Sequence, residues 1–108
     1  MRRGEIYRVH HPRNDPKRSR VFVVVSRQAL IDSRYATVTC APIYTHGSGL
    51  TTQVQVGPPE GLKHECWIHC ENLASIQKTE LTNYVGYFSR ARFAELDRAL
   101  AMALDLPL

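Results

Sequence analysis

Short apolar runs, each closed by glycine, proline or small polar residues, dominate the chain. The run at 20–26, RVFVVVS, is apolar through five consecutive positions, which is typical of a strand buried on both faces. The run at 65–71, ECWIHCE, alternates instead, so that its successive side chains face opposite sides of a sheet. The same patterns predict further strands at 5–9, 36–43, 50–56 and 84–88.

One segment near the end of the sequence has helical spacing. Its apolar residues line one face of the predicted helix: Phe93, Leu96, Leu100 and Leu104. Ser89 is a residue type that caps helix starts, and Pro107 marks where the helix must have ended. Residues 78–81 predict one further helical turn. Short strands joined by hairpin-length connections and followed by a helix predict a mainly β (α+β) fold, a small antiparallel barrel or sandwich closed by that helix.

The length of 108 residues predicts a single domain, 1–108, that buries a core without disulfide or metal support. The sequence has no apolar run of the ~20 residues that a membrane span needs, and it does not begin with a signal-peptide pattern. We therefore expect a soluble, cytoplasmic protein with no membrane partner. Three cysteines, an odd number, fall within strand segments and are expected to be free thiols packed in the core: Cys40, Cys66 and Cys70.

Basic residues are concentrated near the N-terminus, and the formal net charge is +4. Residues 10–19, HHPRNDPKRS, contain two prolines and no aliphatic side chain, so we predict a mobile basic loop. The concentration of positive charge in and around this loop favours a polyanionic partner. The charge alone does not separate this interpretation from a role in solubility.

Metal-dependent and covalent catalysis have little support in the sequence. His64, Cys66, His69 and Cys70 are good zinc ligands by type, but alternation along a strand turns His69 away from the two thiols. The ten acidic residues are scattered and form no pair of the kind that holds magnesium. Motifs for a serine or cysteine nucleophile are also missing. We therefore predict no metal and no cofactor.

A metal-free phosphate site remains, and Arg20 is its candidate residue. RNA carries its own nucleophile, the 2′-hydroxyl, so a protein need only position the phosphodiester and stabilise its developing charge. Arg20 lies where the basic loop enters the most buried strand, and its planar guanidinium can donate two parallel hydrogen bonds to phosphate oxygens. An ordinary surface charge is the alternative for this residue.

Five short segments, in order and with matching spacing, resemble the MazF/PemK/Kid family of toxin endoribonucleases. They cover essentially the whole chain: RGEIY at 3–7, RVFVVVS at 20–26, TVTCAPI at 37–43, GL at 61–62 and CENLASI at 70–76. The resemblance implies an SH3-like barrel with a C-terminal helix, assembled as a homodimer. It also implies sequence-specific cleavage of single-stranded RNA, often mRNA, which leaves 2′,3′-cyclic phosphate and 5′-hydroxyl ends. A cognate antitoxin protein blocks the RNA groove in such toxins.

The resemblance also assigns roles to residues by position. Arg20 matches the catalytic arginine of the family. The family threonine that follows A-P-I corresponds to Tyr44, with Thr45 one place later, so either hydroxyl is the expected second catalytic group. Ala74 stands where the family often has an arginine. The candidate RNA-binding residues are Arg13, Lys17, Arg18, His46, Glu71 and Asn72.

Some alternatives stay open at this point. Glu71 and Asn72 either contact base edges or have a structural role in a β-bulge or strand end. Trp67 either stacks on a base or packs in the core or a dimer interface. For the whole protein, the rivals are a CcdB-like toxin that poisons DNA gyrase through protein contacts, and a catalytically weak relative that still binds RNA or antitoxin.

Overall fold

The computed structural model describes residues 1–10 and 19–108. The predicted basic loop lies almost entirely outside the described residues, and so do three of its predicted RNA-binding residues, Arg13, Lys17 and Arg18. Among the described residues, no helix has the length and apolar character needed to cross a membrane.

Seven strands form one antiparallel sheet in the described part of the chain. They are β1 (Glu5–His10), β2 (Ser19–Val24), β3 (Thr37–Tyr44), β4 (Gln53–Val56), β5 (Cys66–His69), β6 (Ala74–Gln77) and β7 (Asn83–Tyr87). The order across the sheet is β4-β5-β3-β2-β1-β7, and β6 pairs with β3. The predicted mainly β fold, with a helix after the last strand, is confirmed.

Among the residues that the structure describes, two α-helices accompany the sheet, α1 (Gln28–Ile31) and α2 (Phe93–Leu104). Short 3-10 turns occur at Pro58–Glu60, Cys70–Asn72, Lys78–Glu80 and Arg90–Arg92. The hydroxyl of Ser89 accepts a hydrogen bond from the backbone N–H of Ala91 at 3.2 Å, so it caps the 3-10 turn that leads into α2 instead of α2 itself.

The apolar stripe of α2 is shorter than predicted. Leu96 is fully buried, whereas Leu104 is 54% exposed because the helix ends there, at Asp105 with φ 56°. Ala99 packs into the core beside Leu96. The last turn of α2 therefore extends beyond the sheet.

β3 is the central strand and has partners on both edges. One edge pairs with β2 over residues 40–43. The other pairs with β6 over residues 37–40 and then with β5 at 43–44. Pro42 lies at this change of partner, where a residue without an N–H is tolerated because the ladder is interrupted.

Both faces of the sheet are buried, as the continuous apolar run of β2 predicts. A first core cluster joins one face to α2 and includes Ile6, Val23, Ile43, Ile68 and Leu96. A second cluster covers the opposite face beneath α1 and β6 and includes Tyr7, Val9, Phe22, Val24 and Ile76. Alternating residues of β2 enter alternate clusters, so this strand is held from both sides.

The three cysteines are free and buried, which confirms their predicted packing in the core. Burial raises the pKa of the Cys40 thiol to about 12 and that of Cys70 to about 12. Both groups are therefore neutral thiols at physiological pH, and they act as small apolar residues.

The turn at Pro58–Glu60 packs against the middle of β7. A Cβ atom on Gly86 would lie 2.8 Å from the carbonyl carbon of Glu60, so glycine is needed for this close approach. Gly61, which ends the turn, has φ 94° and faces the same stretch of β7. Tyr84 and Tyr87 remain exposed on either side of the contact.

Candidate active site

Arg20 and Tyr44 lie next to each other at one end of the sheet. Arg20 is the second residue of β2, and Tyr44 is the last residue of β3. The register that pairs Val21 with Ile43 places them side by side. The guanidinium carbon of Arg20 is 5.2 Å from the centroid of the Tyr44 ring, within the range of a cation–π contact. Arg20 is otherwise exposed, so its donors are open to a ligand.

Tyr44 is also the centre of a cluster of three rings. The His46 ring is stacked on it, with centroids 5.8 Å apart and planes at 17°. The His69 ring meets it edge-on, with centroids 4.7 Å apart. Tyr44 is half-buried as a result, whereas His46 is exposed. These contacts fix the orientation of the Tyr44 side chain beside Arg20.

His69 ties the loop after β3 to β5. Its Nε2 lies 2.9 Å from the carbonyl oxygen of His46 and must donate, because a carbonyl only accepts. Its Nδ1 lies 3.4 Å from the amide nitrogen of Gln53 and 3.3 Å from a carboxylate oxygen of Glu71. The neutral ring accepts from Gln53, and the protonated ring donates to Glu71. The side chain is buried, so this network holds the loop in place.

Glu71 lies in the 3-10 turn Cys70–Asn72 and is part of the same network. Its carboxylate accepts hydrogen bonds from Gln53 at 2.7 Å and from Thr52 at 3.1 Å. Burial alone raises the pKa of Glu71, but the hydrogen bonds from Gln53 and Thr52, one from backbone and the proximity of His69 together lower it below the ordinary value. Glu71 is therefore an anion at neutral pH. The hydrogen bonds that it accepts from Thr52 and Gln53 connect the turn after β5 to the start of β4.

Thr45 and Asn72, two other predicted site residues, are exposed. Within residues 1–10 and 19–108, the side chains of both are without a hydrogen-bond partner. Glu71 and Asn72 both belong to a 3-10 turn, so neither lies in a β-bulge. The structure thus brings Arg20, Tyr44 and His46 together and leaves Thr45 unsupported beside them.

Trp67 supports the loop after β3. It lies opposite Tyr44 in the register of β3 and β5. A Cβ atom on Gly47 would be 2.6 Å from the Trp67 ring, so the loop backbone crosses the ring face at van der Waals distance. That face is covered by the chain itself and is closed to a base. The contact also explains why residue 47 is glycine.

The residues considered as zinc ligands are separated in space. Cys66 and Cys70 point into the first core cluster, whereas His69 is part of the ring cluster on the other face. Among the described residues, no group of three or more histidine, cysteine, aspartate and glutamate side chains is placed to hold a metal ion.

Sequence reasoning did not assign functions to His69 and Gln53. The alternation of 65–71 had placed His69 on the face away from the core, beside Glu71. A histidine on that face next to a carboxylate was the signal for a buried polar network, but the covering loop could not be foreseen.

Residues 2–104 match the family of PemK-like, MazF-like toxins of type II toxin–antitoxin systems. The chain belongs to this family. This MazF-like chain is 29% identical over 89 residues to the endoribonuclease MazF3 of Mycobacterium tuberculosis. The aligned residues are 82% of this chain and 85% of that protein.

Solved structures of MazF-like proteins agree with this assignment and confirm the predicted fold class. The Mycobacterium tuberculosis toxin MazF-mt6 superposes with a TM-score of 0.83 at 26% identity, covering 96% of this chain and 99% of that one. A mycobacterial endoribonuclease in complex with its cognate antitoxin superposes with a TM-score of 0.83 at 27% identity, covering 100% and 98%. The predicted resemblance to the family is confirmed.

Proposed function

We propose that this MazF-like protein is a toxin that cleaves single-stranded RNA, such as mRNA, at a short sequence motif without a metal ion. The placement of Arg20 against Tyr44 at one end of the sheet is the observation that carries the proposal. The MazF-like relatives named as endoribonucleases support it. A single domain of residues 1–108, acting in the cytoplasm as a homodimer, is part of the same proposal.

The proposed reaction uses the nucleophile of the substrate. The 2′-hydroxyl oxygen of the RNA bonds to the adjacent phosphorus, and the bond from phosphorus to the 5′-oxygen breaks. The 2′-hydroxyl loses its proton to solvent, and the 5′-oxygen takes one up. The products are a 2′,3′-cyclic phosphate and a 5′-hydroxyl. The protein's contribution is to stabilise the charge that accumulates on the non-bridging oxygens.

Arg20 is the group that supplies this stabilisation. Its guanidinium is permanently charged and forked, and the ring of Tyr44 holds it near the surface. A permanently charged arginine is a poor proton carrier, so its role is electrostatic. The Tyr44 or Thr45 hydroxyl then binds one non-bridging oxygen.

The other candidate RNA-binding residues complete the proposed contacts. His46 is exposed and stacked on Tyr44, so its outer face is a platform on which a base can stack. Asn72 offers an amide to base edges from the turn after β5. Arg13, Lys17 and Arg18 provide phosphate contacts in this proposal. The antitoxin competes with RNA for the same surface, and the antitoxin complex of a MazF-like relative supports such a partner.

The decisive experiment is to incubate the purified protein with a long single-stranded RNA in excess EDTA. We expect discrete fragments whose ends are 2′,3′-cyclic phosphate and 5′-hydroxyl. An RNA that stays intact with and without magnesium would contradict the proposal and leave the gyrase-poisoning and catalytically weak alternatives. Inhibition of gyrase-dependent supercoiling by the same preparation would then select the former.

Separate hydroxyl substitutions identify the second catalytic group. We expect Tyr44→Phe to slow cleavage by about 10²-fold, because it removes one preorganised donor while keeping the ring that contacts Arg20. Thr45→Ala should stay close to wild type, because no hydrogen bond to another described residue holds the hydroxyl of this exposed side chain in place. Single-turnover rates on one defined RNA measure both effects. A large loss in Thr45→Ala with an active Tyr44→Phe would reverse the assignment.

A further inference from the structure

A second surface rich in arginine and tyrosine lies at the far end of β1 from the candidate active site. It is a groove of about 520 Å³ whose lining includes Arg2, Arg3, Tyr84, Tyr87 and Arg90. We call it the edge groove, because β7 is the last strand of the sheet. None of the residues discussed above as contacting the scissile phosphate is part of it.

Two tyrosine rings of the edge groove are largely exposed. Tyr84 is 51% exposed and Tyr87 is 60% exposed. Tyr84 is nevertheless fixed, because its ring packs edge-on against Tyr7 with centroids 5.7 Å apart. The Tyr7 hydroxyl in turn donates a hydrogen bond to Glu5 at 2.9 Å. An exposed but oriented ring is what a stacking platform needs.

The positive charge of the groove is available to a ligand. Arg3 is engaged in an ion pair with Asp97 at 2.7 Å. Arg2 and Arg90 are exposed, and within the part of the chain that the structure describes their side chains form no ion pair. The carboxylate of Glu5 is occupied by the Tyr7 hydroxyl and by the backbone N–H of Arg2 at 2.7 Å. Two free guanidinium groups therefore flank the two exposed rings.

The edge groove and Arg20 lie on the same face of the sheet. Arg20 and Phe22 are two positions apart on β2, so their side chains face the same side of the sheet. Phe22 pairs with Tyr7 on β1. Tyr7 pairs with Tyr84 on β7, and Glu5, two residues before Tyr7, pairs with Tyr87. Arg20 and the edge groove thus project from the same face of the sheet, on either side of the buried side chains of Tyr7, Val9 and Phe22. On β1, Val9 pairs with Arg20 and Glu5 pairs with Tyr87; these two residues are four positions apart, about 13 Å along the strand.

We propose that the edge groove holds unpaired nucleotides of the same RNA that is cut at Arg20. Bases stack on Tyr84 and Tyr87, and Arg2 and Arg90 contact the phosphates between them. Rings interleaved with cations match the repeating base and phosphate of a single strand and bind it with little sequence preference. This inference rests on the proposed function and adds the extent of the substrate, because RNA must reach beyond the cleavage motif to be held there.

An acidic peptide is the other class of ligand that such charges attract. The geometry favours RNA, because the groove offers two exposed rings about 10 Å apart along β7, flanked by the exposed Arg2 and Arg90, on the face of the sheet that carries Arg20.

The test compares two fluorescent RNAs that share one cleavage motif, one limited to the motif and one extended by unpaired uridines on both sides. Each carries 2′-deoxyribose at the cleavage site, so that binding is measured without cutting. We expect the wild type to bind the extended RNA at least tenfold more tightly than the short one, because stacking contributes about fivefold or more for each base and the groove offers two rings. Tyr84→Ala/Tyr87→Ala should abolish that advantage and bind the short RNA like the wild type.

Charge and control variants complete the design. Arg2→Ala/Arg90→Ala should make the slope of log K against log salt shallower by roughly 1.4 for the extended RNA, since each phosphate contact on a single strand contributes about 0.7. The matched control Arg34→Ala/Tyr35→Ala removes an exposed arginine and a tyrosine that is 63% exposed, both outside the groove, and should keep the full length advantage.

Two results would overturn the proposal. One is a wild type that binds both RNAs equally. The other is a Tyr84→Ala/Tyr87→Ala variant that keeps the length advantage while losing antitoxin affinity or dimer mass in sedimentation, which would make the groove a protein interface. Failure of the wild type to cleave an all-ribose RNA would refute the proposed nuclease without changing these binding results, so the two failures are distinguishable.

Discussion

Replacing Arg20 by alanine is expected to slow RNA cleavage by about 10²–10³-fold while the fold stays intact. Loss of one preorganised donor to the developing charge typically has an effect of this size. Arg20 is exposed and contacts the Tyr44 ring from outside the core, so the free energy of unfolding should change by no more than about 0.5 kcal/mol. Single-turnover cleavage and thermal unfolding, measured on the same preparations, check the two statements.

Two companion variants sharpen this result. Arg20→Lys keeps the positive charge but not the planar fork, so it should recover only a small part of the lost rate. Arg34→Ala, a substitution of an exposed arginine away from the site, should cleave like the wild type. Cleavage by Arg20→Ala at the wild-type rate would show that the reacting phosphate lies elsewhere.

A single 2′-deoxyribose at the cleavage position is expected to stop the reaction completely. The proposed mechanism takes its nucleophile from the substrate, so removal of the 2′-hydroxyl removes the attacking group. The substituted RNA should still bind, since the phosphate and base contacts do not need that hydroxyl. Gel analysis after long incubation measures cleavage, and fluorescence anisotropy measures binding.

The control for this prediction is an RNA with one deoxyribose a few nucleotides from the cleavage site, which should be cut at the same place as the all-ribose RNA. Cleavage at the deoxyribose position itself would indicate an activated water as the nucleophile. In that case the products would lack the cyclic phosphate. A separate base would then be needed to activate the water, since Arg20 is assigned only a charge-stabilising role.

The strands and the family could be predicted from local pattern, because each depends on a few neighbouring residues. Arg20 was placed at the start of a buried strand, and β2 does begin at Ser19. β6 was missed because its four residues, ASIQ, include one buried side chain, Ile76, and no clear alternation of apolar and polar positions. Its strand geometry comes from pairing with β3, which is a tertiary effect.

The site could be predicted only in part, for a similar reason. Which hydroxyl follows the A-P-I segment depends on where β3 ends, and the strand extends to Tyr44 because that residue pairs with Trp67. The burial of His69 depends on the loop that carries Gly47 folding over Trp67. Contacts between distant segments decide both features, and neither leaves a signal in the spacing of nearby residues.

The pairing of β1 with β7 sets the order in which a nascent chain can fold. β1 leaves the ribosome before the other six strands that the structure describes but finds its second partner only when Asn83–Tyr87 has been made, and α2, which covers the first core cluster, follows later still. Non-local pairings of this kind close late and slow folding. Synthesis of the first two thirds of the chain therefore yields the residues of the candidate site before the sheet that aligns them is complete, so a polypeptide released early would carry Arg20 and Tyr44 without the enclosing scaffold.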